Sequence, residues 1–417
     1  MIEEMGQNAR NAAKKMARAS THQKNEALRA IVTLLETDHD RILGANQYEI
    51  DQAESKGMIH SMIDRLSLQG RLTSICGDID RVIELEDPVG ERFDAHTLPN
   101  GLTVCKQRVP LGVLGVIYES RPNVTLDIAA LAIKTGNCVI LRGGSETIRT
   151  NQELVHTIRN ALVQSGLPAD AIQFVDNSDR KHVKELLQLH QHIDLIIPRG
   201  GAKLHQFCRE NSMIPVITGG IGVCHLYVDQ SADLEKSVEV IVNAKTQRPT
   251  VCNALDTLLM HHDIAPALLP LILKRLEAEG VTFRFDKKSW ELLNEKQKSL
   301  GQLAGPEDWE TEWLDLIIGV KVVENFDEAV DHIDTHSTGH SDGILTHNEK
   351  RAQKFVNEVD SSTVYVNAST RFTDGSQMGL GAEVAISTQK LHARGPMGLK
   401  EITTYKWVVE GNYTTRD

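Results

Sequence analysis

Val113-Leu114-Gly115-Val116-Ile117-Tyr118, then Cys138-Val139-Ile140-Leu141-Arg142-Gly143-Gly144-Ser145-Glu146, then an apolar run to Ile197 followed by Pro198-Arg199-Gly200-Gly201-Ala202-Lys203: this succession decides the fold. The apolar runs are short, and helix-length segments closed by Gly136 and Gly166 lie between them. The pattern predicts strands over 113–118, 138–141, 172–175, 193–197 and 216–218. Helices are predicted over 124–134, 147–164, 180–189 and 201–209. Short apolar strands spaced by helices imply parallel β-α-β units and a doubly wound sheet. Such sheets bind ligands beyond the carboxyl ends of their strands. Two of these ends carry an arginine and paired glycines, Arg142-Gly143-Gly144-Ser145 and Arg199-Gly200-Gly201. Free backbone N–H groups at a strand-to-helix turn suit a phosphate. Either turn alone reads first as a tight bend with a solvated arginine; two in one sheet shift the reading towards a dinucleotide. No G-x-G-x-x-G follows a strand, so the common dinucleotide fingerprint is absent.

Downstream, a second α/β region begins near 229. Helices are predicted over 233–245, 265–279 and 327–334, and strands over 255–260, 320–323, 343–346 and 362–367, with 286–302 as a polar surface excursion. Between the first helix and the first strand lies Asn243-Ala244-Lys245-Thr246-Gln247-Arg248-Pro249-Thr250-Val251-Cys252-Asn253. A thiol on a loop between rigid elements is a candidate nucleophile, and Lys245 and Arg248 would favour its thiolate. The bland reading is a small buried apolar residue.

Residues 1–70 carry apolar positions at helical spacing and no recognisable chemistry. Over 92–112, two alternating runs flank Pro99-Asn100-Gly101, a hairpin signal. The hairpin either pairs with another subunit or forms an internal edge. The tail beyond Gly379 contains a strand-like stretch, 403–409.

Composition narrows the function. The chain has 417 residues and a formal net charge of −12, with no Lys/Arg-rich block, which speaks against nucleic acid or an anionic membrane as partner. No apolar run approaches the ~18 residues of a membrane span, and the N-terminus lacks the pattern of a secretory signal. Six scattered cysteines without a C-x-x-C pair fit the reducing cytoplasm. His332, His336 and His340 have tempting spacing, but Ser337-Thr338-Gly339 breaks the helix before the third, so no metal site is expected.

The whole chain resembles the aldehyde dehydrogenase superfamily, and within it the γ-glutamyl phosphate reductase family. The most specific match is Val323-x5-Ala329-Val330-x-His332-Ile333-x2-His336-Ser337-Thr338-x-His340-Ser341-Asp342-x-Ile344. Val109-Pro110-Leu111-Gly112-Val113, Tyr118-Glu119-Ser120-Arg121-Pro122-Asn123, Pro215-Val216-Ile217-Thr218-Gly219-Gly220, the 243–252 stretch and Gln389-Lys390-Leu391-His392-Ala393-Arg394-Gly395-Pro396 match as well. The resemblance implies an aldehyde-dehydrogenase-like α/β fold. Residues 1–91 and 113–228 would bind NADPH, 229–360 would be catalytic, and 92–112 with 380–417 would join subunits into a dimer or tetramer.

The implied reaction is reduction of L-glutamyl 5-phosphate by NADPH to glutamate 5-semialdehyde, the second step of proline biosynthesis, through a thioester on Cys252. Asn123 would supply the oxyanion donor, unless it only caps the helix that follows. Arg121 and Arg248 are candidates for the substrate phosphate. Arg142, Gly143, Gly144 and Ser145 would hold the adenosine end of the cofactor, with NADH as the alternative. Arg199, Gly200, Gly201, Thr218 and Gly219 belong to the same cofactor set, and Glu312 would reach the nicotinamide ribose. Ile217 stands where hydrolytic relatives carry their general-base Glu, which implies that water is not activated against the thioester. For the substrate's amino and carboxylate ends, Arg371, Glu383 and Lys390 remain equal candidates. A glutamate 5-kinase is the implied functional neighbour. A coenzyme A-acylating relative would keep Cys252 and Asn123 but depart from the His332–Ile344 pattern, and a non-catalytic member of the fold would have lost the thiol or the asparagine.

Overall fold

Burial on both faces shapes the strands. All six residues of Val113–Tyr118 and all seven of Leu255–His261 are buried, so neither run alternates; the first is apolar throughout, and the second carries Asp256, Thr257 and His261 among its apolar residues. The computed structural model describes residues 1–58, 60–219 and 221–416. The chain divides into two units, Met1–Thr218 with Gly379–Ala385 and Pro396–Asp417, and Gly219–Met378 with Ile386–Gly395.

The first unit holds a four-stranded parallel sheet in the order Ile172–Phe174, Cys138–Arg142, Val113–Tyr118, Leu195–Arg199. The chain thus moves outward on one side and then returns to the other side of its first strand, which makes a switch point between Val113–Tyr118 and Leu195–Arg199. The expected strand over 216–218 reduces to a single bridge between Ile196 and Val216. Helices Asn123–Lys134 and Ile148–Gln164 follow the first two strands. Helices cover Ile2–Met16, Thr21–Thr37, His39–Ser55 and His60–Leu66, and a fifth, Leu72–Glu84, continues past the segment where they were expected.

The hairpin forms as its turn residues dictate. Arg92–Thr97 and Thr103–Pro110 pair antiparallel, and Gly101 takes the left-handed φ of 85° that its bend requires. Thr403–Glu410 adds a third strand beside Thr103–Pro110. Its Tyr405, Trp407 and Val409 alternate outward and are 46 %, 56 % and 56 % exposed.

The second unit is built on seven parallel strands in the order Gly301–Leu303, Thr282–Phe285, Ile317–Val323, Leu255–His261, Cys224–Val228, Ser341–Leu345, Thr363–Val366. Cys224–Val228 therefore lies in the middle of this sheet rather than with the block that precedes it in sequence. Its five residues are all buried, and such a run is equally at home in either sheet. The stretch 286–302 is more than a surface excursion: two short helices, Lys287–Glu291 and Glu295–Lys298, lead to the edge strand Gly301–Leu303. The tail is divided, since 386–395 belongs to the second unit and the segments on either side to the first. No described helix is long and apolar enough to cross a membrane.

Candidate active site

Cys252 stands in a turn closed by Ala254 N–H donating to the Val251 carbonyl (3.0 Å), between helix Leu234–Thr246 and strand Leu255–His261. It is part-buried, whereas the other five cysteines are buried. Burial pushes the Cys138 and Cys208 thiols up to about 12. Burial raises Cys224 well above the usual thiol range too, with the Asp256 and Asp342 carboxylates adding to the effect. Thiolate chemistry is thereby suppressed at these three buried sites.

The loop before strand Cys224–Val228 is pressed against Cys252. The Cys224 Sγ–H donates to the Cys252 carbonyl at 3.2 Å, and a Cβ built on Gly222 would fall on that same carbonyl oxygen. Thr338 clamps this loop from both ends: its hydroxyl donates to the Ile221 carbonyl (2.8 Å) and accepts from Val223 N–H (3.0 Å). Gly222 N–H donates to Glu312 Oε1 at 2.9 Å. Burial raises the Glu312 pKa, partly offset by that hydrogen bond.

On the other side, Asn253 is 4 % exposed, and its amide donates to the Thr373 carbonyl (2.9 Å) and the Arg371 carbonyl (3.4 Å). Thr370 Oγ1 donates back to the Asn253 carbonyl at 2.7 Å. These bonds carry Arg371 to the thiol. Its Nε donates to Gln247 Oε1 at 2.8 Å, and burial lowers its pKa, with Cys252 and Arg248 the charged groups that act on it most. Arg371 is the basic residue that sequence reasoning could not choose; Lys390 is paired with Asp360. Arg248 is exposed. Lys245 serves differently from the expectation. It is wholly buried, 3.9 Å from Asp256, and burial drives both groups towards neutrality.

The signature around His332–Ile344 supplies the frame rather than the chemistry. Besides Thr338, Asp342 takes Ser337 Oγ–H (2.6 Å) and His225 N–H (2.8 Å). Ser341 and Tyr365 each meet Thr373 Oγ1 at 2.6 Å, fixing the turn that bears Arg371. His340 is fully buried, its Nδ1 2.8 Å from Ser341 Oγ, and burial lowers its pKa to about 4. The helix Phe326–His336 stops before His340. Among the described residues, the one grouping with metal-ligand spacing is His261, His262 and Asp263, on consecutive positions, two of them exposed.

In the first unit, the carboxyl ends of three adjacent strands gather the other candidates. Ile117 pairs with Arg142 and Tyr118 with Arg199, so the loops at 119–122, 142–145 and 199–201 lie side by side. Asn123 opens helix Asn123–Lys134 as its first residue. The helix has no side-chain cap, and the Asn123 amide instead donates to Asp127 Oδ2 at 3.0 Å. Ser120 precedes it with a left-handed φ of 44°, held by its N–H donating to Glu146 Oε1 at 2.9 Å. Arg121 is part-buried.

A dinucleotide fits these turns unequally. Arg142 has a buried Nε without a partner, and burial lowers its pKa, with Glu146 and then Arg180 the charged groups that act on it most. Arg142 and Arg180 offer positive charge for an adenosine phosphate here, set against the Glu146 carboxylate that lies on Gly144 and Ser145. At the other turn, the anion position is taken by the chain's own Glu119, whose Oε2 accepts from Gly201 N–H (3.2 Å) and crowds Gly200. Thr218 is 9 % exposed and the neighbouring Ile217 3 %. Gly219 bridges Ser387, and a Cβ there would strike the Ile386 carbonyl, so backbone packing alone requires glycine. Gly220 lies outside the described residues.

The sequence profile of the aldehyde dehydrogenase family matches residues 1–290 and 311–408. The γ-glutamyl phosphate reductase of Psychromonas ingrahamii is 53 % identical over 416 residues, which cover 100 % of this chain and 99 % of that protein. The Escherichia coli γ-glutamyl phosphate reductase is 52 % identical over 426 residues, covering 100 % of both. A crystal structure of γ-glutamyl phosphate reductase from Thermotoga maritima superposes with a TM-score of 0.96 at 46 % identity, covering 100 % of both chains.

Proposed function

The chain belongs to the aldehyde dehydrogenase family and, within it, to the γ-glutamyl phosphate reductases; we propose that it reduces L-glutamyl 5-phosphate with NADPH through a thioester on Cys252. It is an oxidoreductase, and its place is the second step from glutamate to proline.

The observation that carries the mechanism is that Cys252 is the part-buried thiol among five buried ones, with Arg371 near enough to interact with it and with Arg248. Cys252 Sγ attacks the acyl phosphate carbon, the carbon–sulfur bond forms, and the carbon–oxygen bond to phosphate breaks with the electron pair leaving on phosphate. A thioester carbonyl accepts hydride where a carboxylate does not, so one hard step becomes two accessible ones. Bound NADPH supplies the hydride, after which the aldehyde forms and Cys252 leaves as thiolate. Both steps place charge on the carbonyl oxygen, and the second N–H of the Asn123 amide and the Cys252 N–H are the donors for it; one such donor is typically worth about 10²–10³ in rate. Arg371 and Arg248 hold the substrate's anionic groups, with Arg121 as a further cation for the phosphate. Arg142, with Gly143, Gly144 and Ser145, holds the adenosine end, and its charge favours the 2′-phosphate of NADPH. Ile217 offers no carboxylate, so water gains no base against the thioester. Subunits join through the outward face of Tyr405, Trp407 and Val409 into a homo-oligomer in the cytoplasm, and a glutamate 5-kinase supplies the short-lived acyl phosphate.

The test runs the reaction backwards. NADP⁺ reduction is followed with glutamate 5-semialdehyde, with and without inorganic phosphate, for the native protein and Cys252→Ala. Activity that needs both phosphate and Cys252 is expected. Turnover without phosphate would mean that the thioester is hydrolysed, and turnover in Cys252→Ala would place the nucleophile elsewhere.

A further inference from the structure

Asn123 and Asp127 are one helical turn apart on Asn123–Lys134, the spacing at which side chains on one face meet. Asp127 is an unusual residue for its place. Its neighbours Leu126 and Ile128 are 1 % exposed, and the helix packs against Leu72–Glu84. Asp127 itself is half-buried, and a carboxylate there gives up part of its hydration and gains from a specific partner. That partner is the Asn123 amide, at 3.0 Å.

We propose that Asp127 is a positioning residue: it takes one N–H of the Asn123 carboxamide and thereby fixes the other N–H for the reacting carbonyl oxygen. The inference rests on the role given to Asn123 above. A primary amide has two N–H bonds and free rotation about its last side-chain torsion. With Asn123 spared from capping duty, the Asp127 carboxylate is the partner that can fix that torsion. An ionised Asp127 can only accept, so it selects the orientation with nitrogen towards it. A protonated Asp127 donates instead, and the amide oxygen becomes its better partner, which turns the carboxamide and removes the fixed donor.

The groups facing Asp127 are Asn123 on its own helix, Arg199 at the end of the neighbouring strand and Asp78 on Leu72–Glu84. Burial raises Asp127 to about 7, opposed by Arg199 and by the Asn123 hydrogen bond and reinforced by Asp78. The switch between the two amide orientations therefore falls within the working range of pH.

The experiment compares Asp127→Asn, Asn123→Ala and the double variant in the reverse assay from pH 6 to 9, with thermal unfolding as a check on folding. Asp127→Asn should lose kcat on the order of 10–100-fold, with KM for both substrates unchanged. It should also lack the decline in kcat expected of the native protein as pH falls through about 7. Added to Asn123→Ala, it should cost nothing more. Native kcat with the acid limb intact, or a full additional loss in the double variant, would overturn the proposal. Should Asp127→Asn not fold, the limb itself decides: it must be absent from Asn123→Ala, and its persistence there overturns the proposal. Comparing variants at each pH cancels any pH dependence of the aldehyde. Native activity in Asn123→Ala would instead refute the oxyanion role itself, a different failure from a silent Asp127→Asn beside a crippled Asn123→Ala.

Discussion

Replacing Gly222 with alanine tests whether the clamped loop seats the nucleophile. The added Cβ would fall on the Cys252 carbonyl oxygen and lie 2.6 Å from the carbonyl carbon. Real Cβ contacts stay beyond 3.0 Å, and the oxygen would lie at half that distance, so the two backbones must part by about 1.5 Å. The loop is the less able to yield. Retreat would sacrifice its two bonds to Thr338 and one to Glu312, each worth about 1 kcal/mol net and more if a buried group is left unpaired. The displacement therefore falls largely on Cys252. A misplacement of about 1 Å at a reacting group can cost 10²-fold, so kcat should fall about 10²-fold. Overpacking should lower stability by about 1–3 kcal/mol. Steady-state kcat and KM in the reverse assay, the rate of Cys252 alkylation by iodoacetamide and a denaturation curve read these effects separately. A folded Gly222→Ala protein with native kcat would refute the idea that this contact sets the position of the thiol.

Three further outcomes are expected. Arg371→Met should raise KM for the phosphate-bearing or carboxylate-bearing substrate about tenfold or more, the scale of losing a charge-assisted bond of 1.5–3 kcal/mol, with KM for NADP⁺ unchanged in the same kinetics. His340 is neutral in the fold down to about pH 4 but gains its proton near pH 6.5 when unfolded. Its contribution is thus complete above pH 6.5 and lost as pH falls towards 4. At about 1.4 kcal/mol per pH unit, the stability gap between native protein and His340→Gln should shrink by about 2 kcal/mol from pH 7 to pH 5 in chemical denaturation. Trp407→Glu places a charge in the exposed row of Thr403–Glu410 and should shift the mass measured by light scattering from oligomer to monomer. An unchanged mass would move the subunit contact elsewhere.

The doubly wound pattern was legible because parallel strands buried on both faces are mostly apolar without alternation, as Val113–Tyr118 is and as Leu255–His261 is apart from Asp256, Thr257 and His261. The hairpin was legible because Asn100-Gly101 fixes a local bend. Arg371 was not, since it reaches Gln247 across 124 positions of sequence and no periodicity connects them. Asp127 was hidden for the opposite reason: a polar residue one turn into a helix is ordinary until its partner is seen. Lys245 misled because proximity in sequence to Cys252 says nothing about facing it. Its side chain points into the unit towards Asp256.

Why arginines must surround Cys252 follows from which edge of its sheet it occupies. Ligands in open α/β sheets ordinarily lie beyond the carboxyl ends of strands, where helix N-termini offer positive potential. Cys252, Gly222 and Thr338 instead each precede a strand, at the amino edge. Helices there present their C-termini, and Leu234–Thr246 ends just before the Cys252 turn. A helix C-terminus disfavours a thiolate. Positive charge has to come from side chains instead. Arg371 brings it through the Thr370–Asn253 bond, and the His332–Ile344 signature holds the Arg371 turn by way of Ser341 and Thr373. A motif without a reacting group is thus as specific as the nucleophile, because the charge that makes the nucleophile usable depends on it.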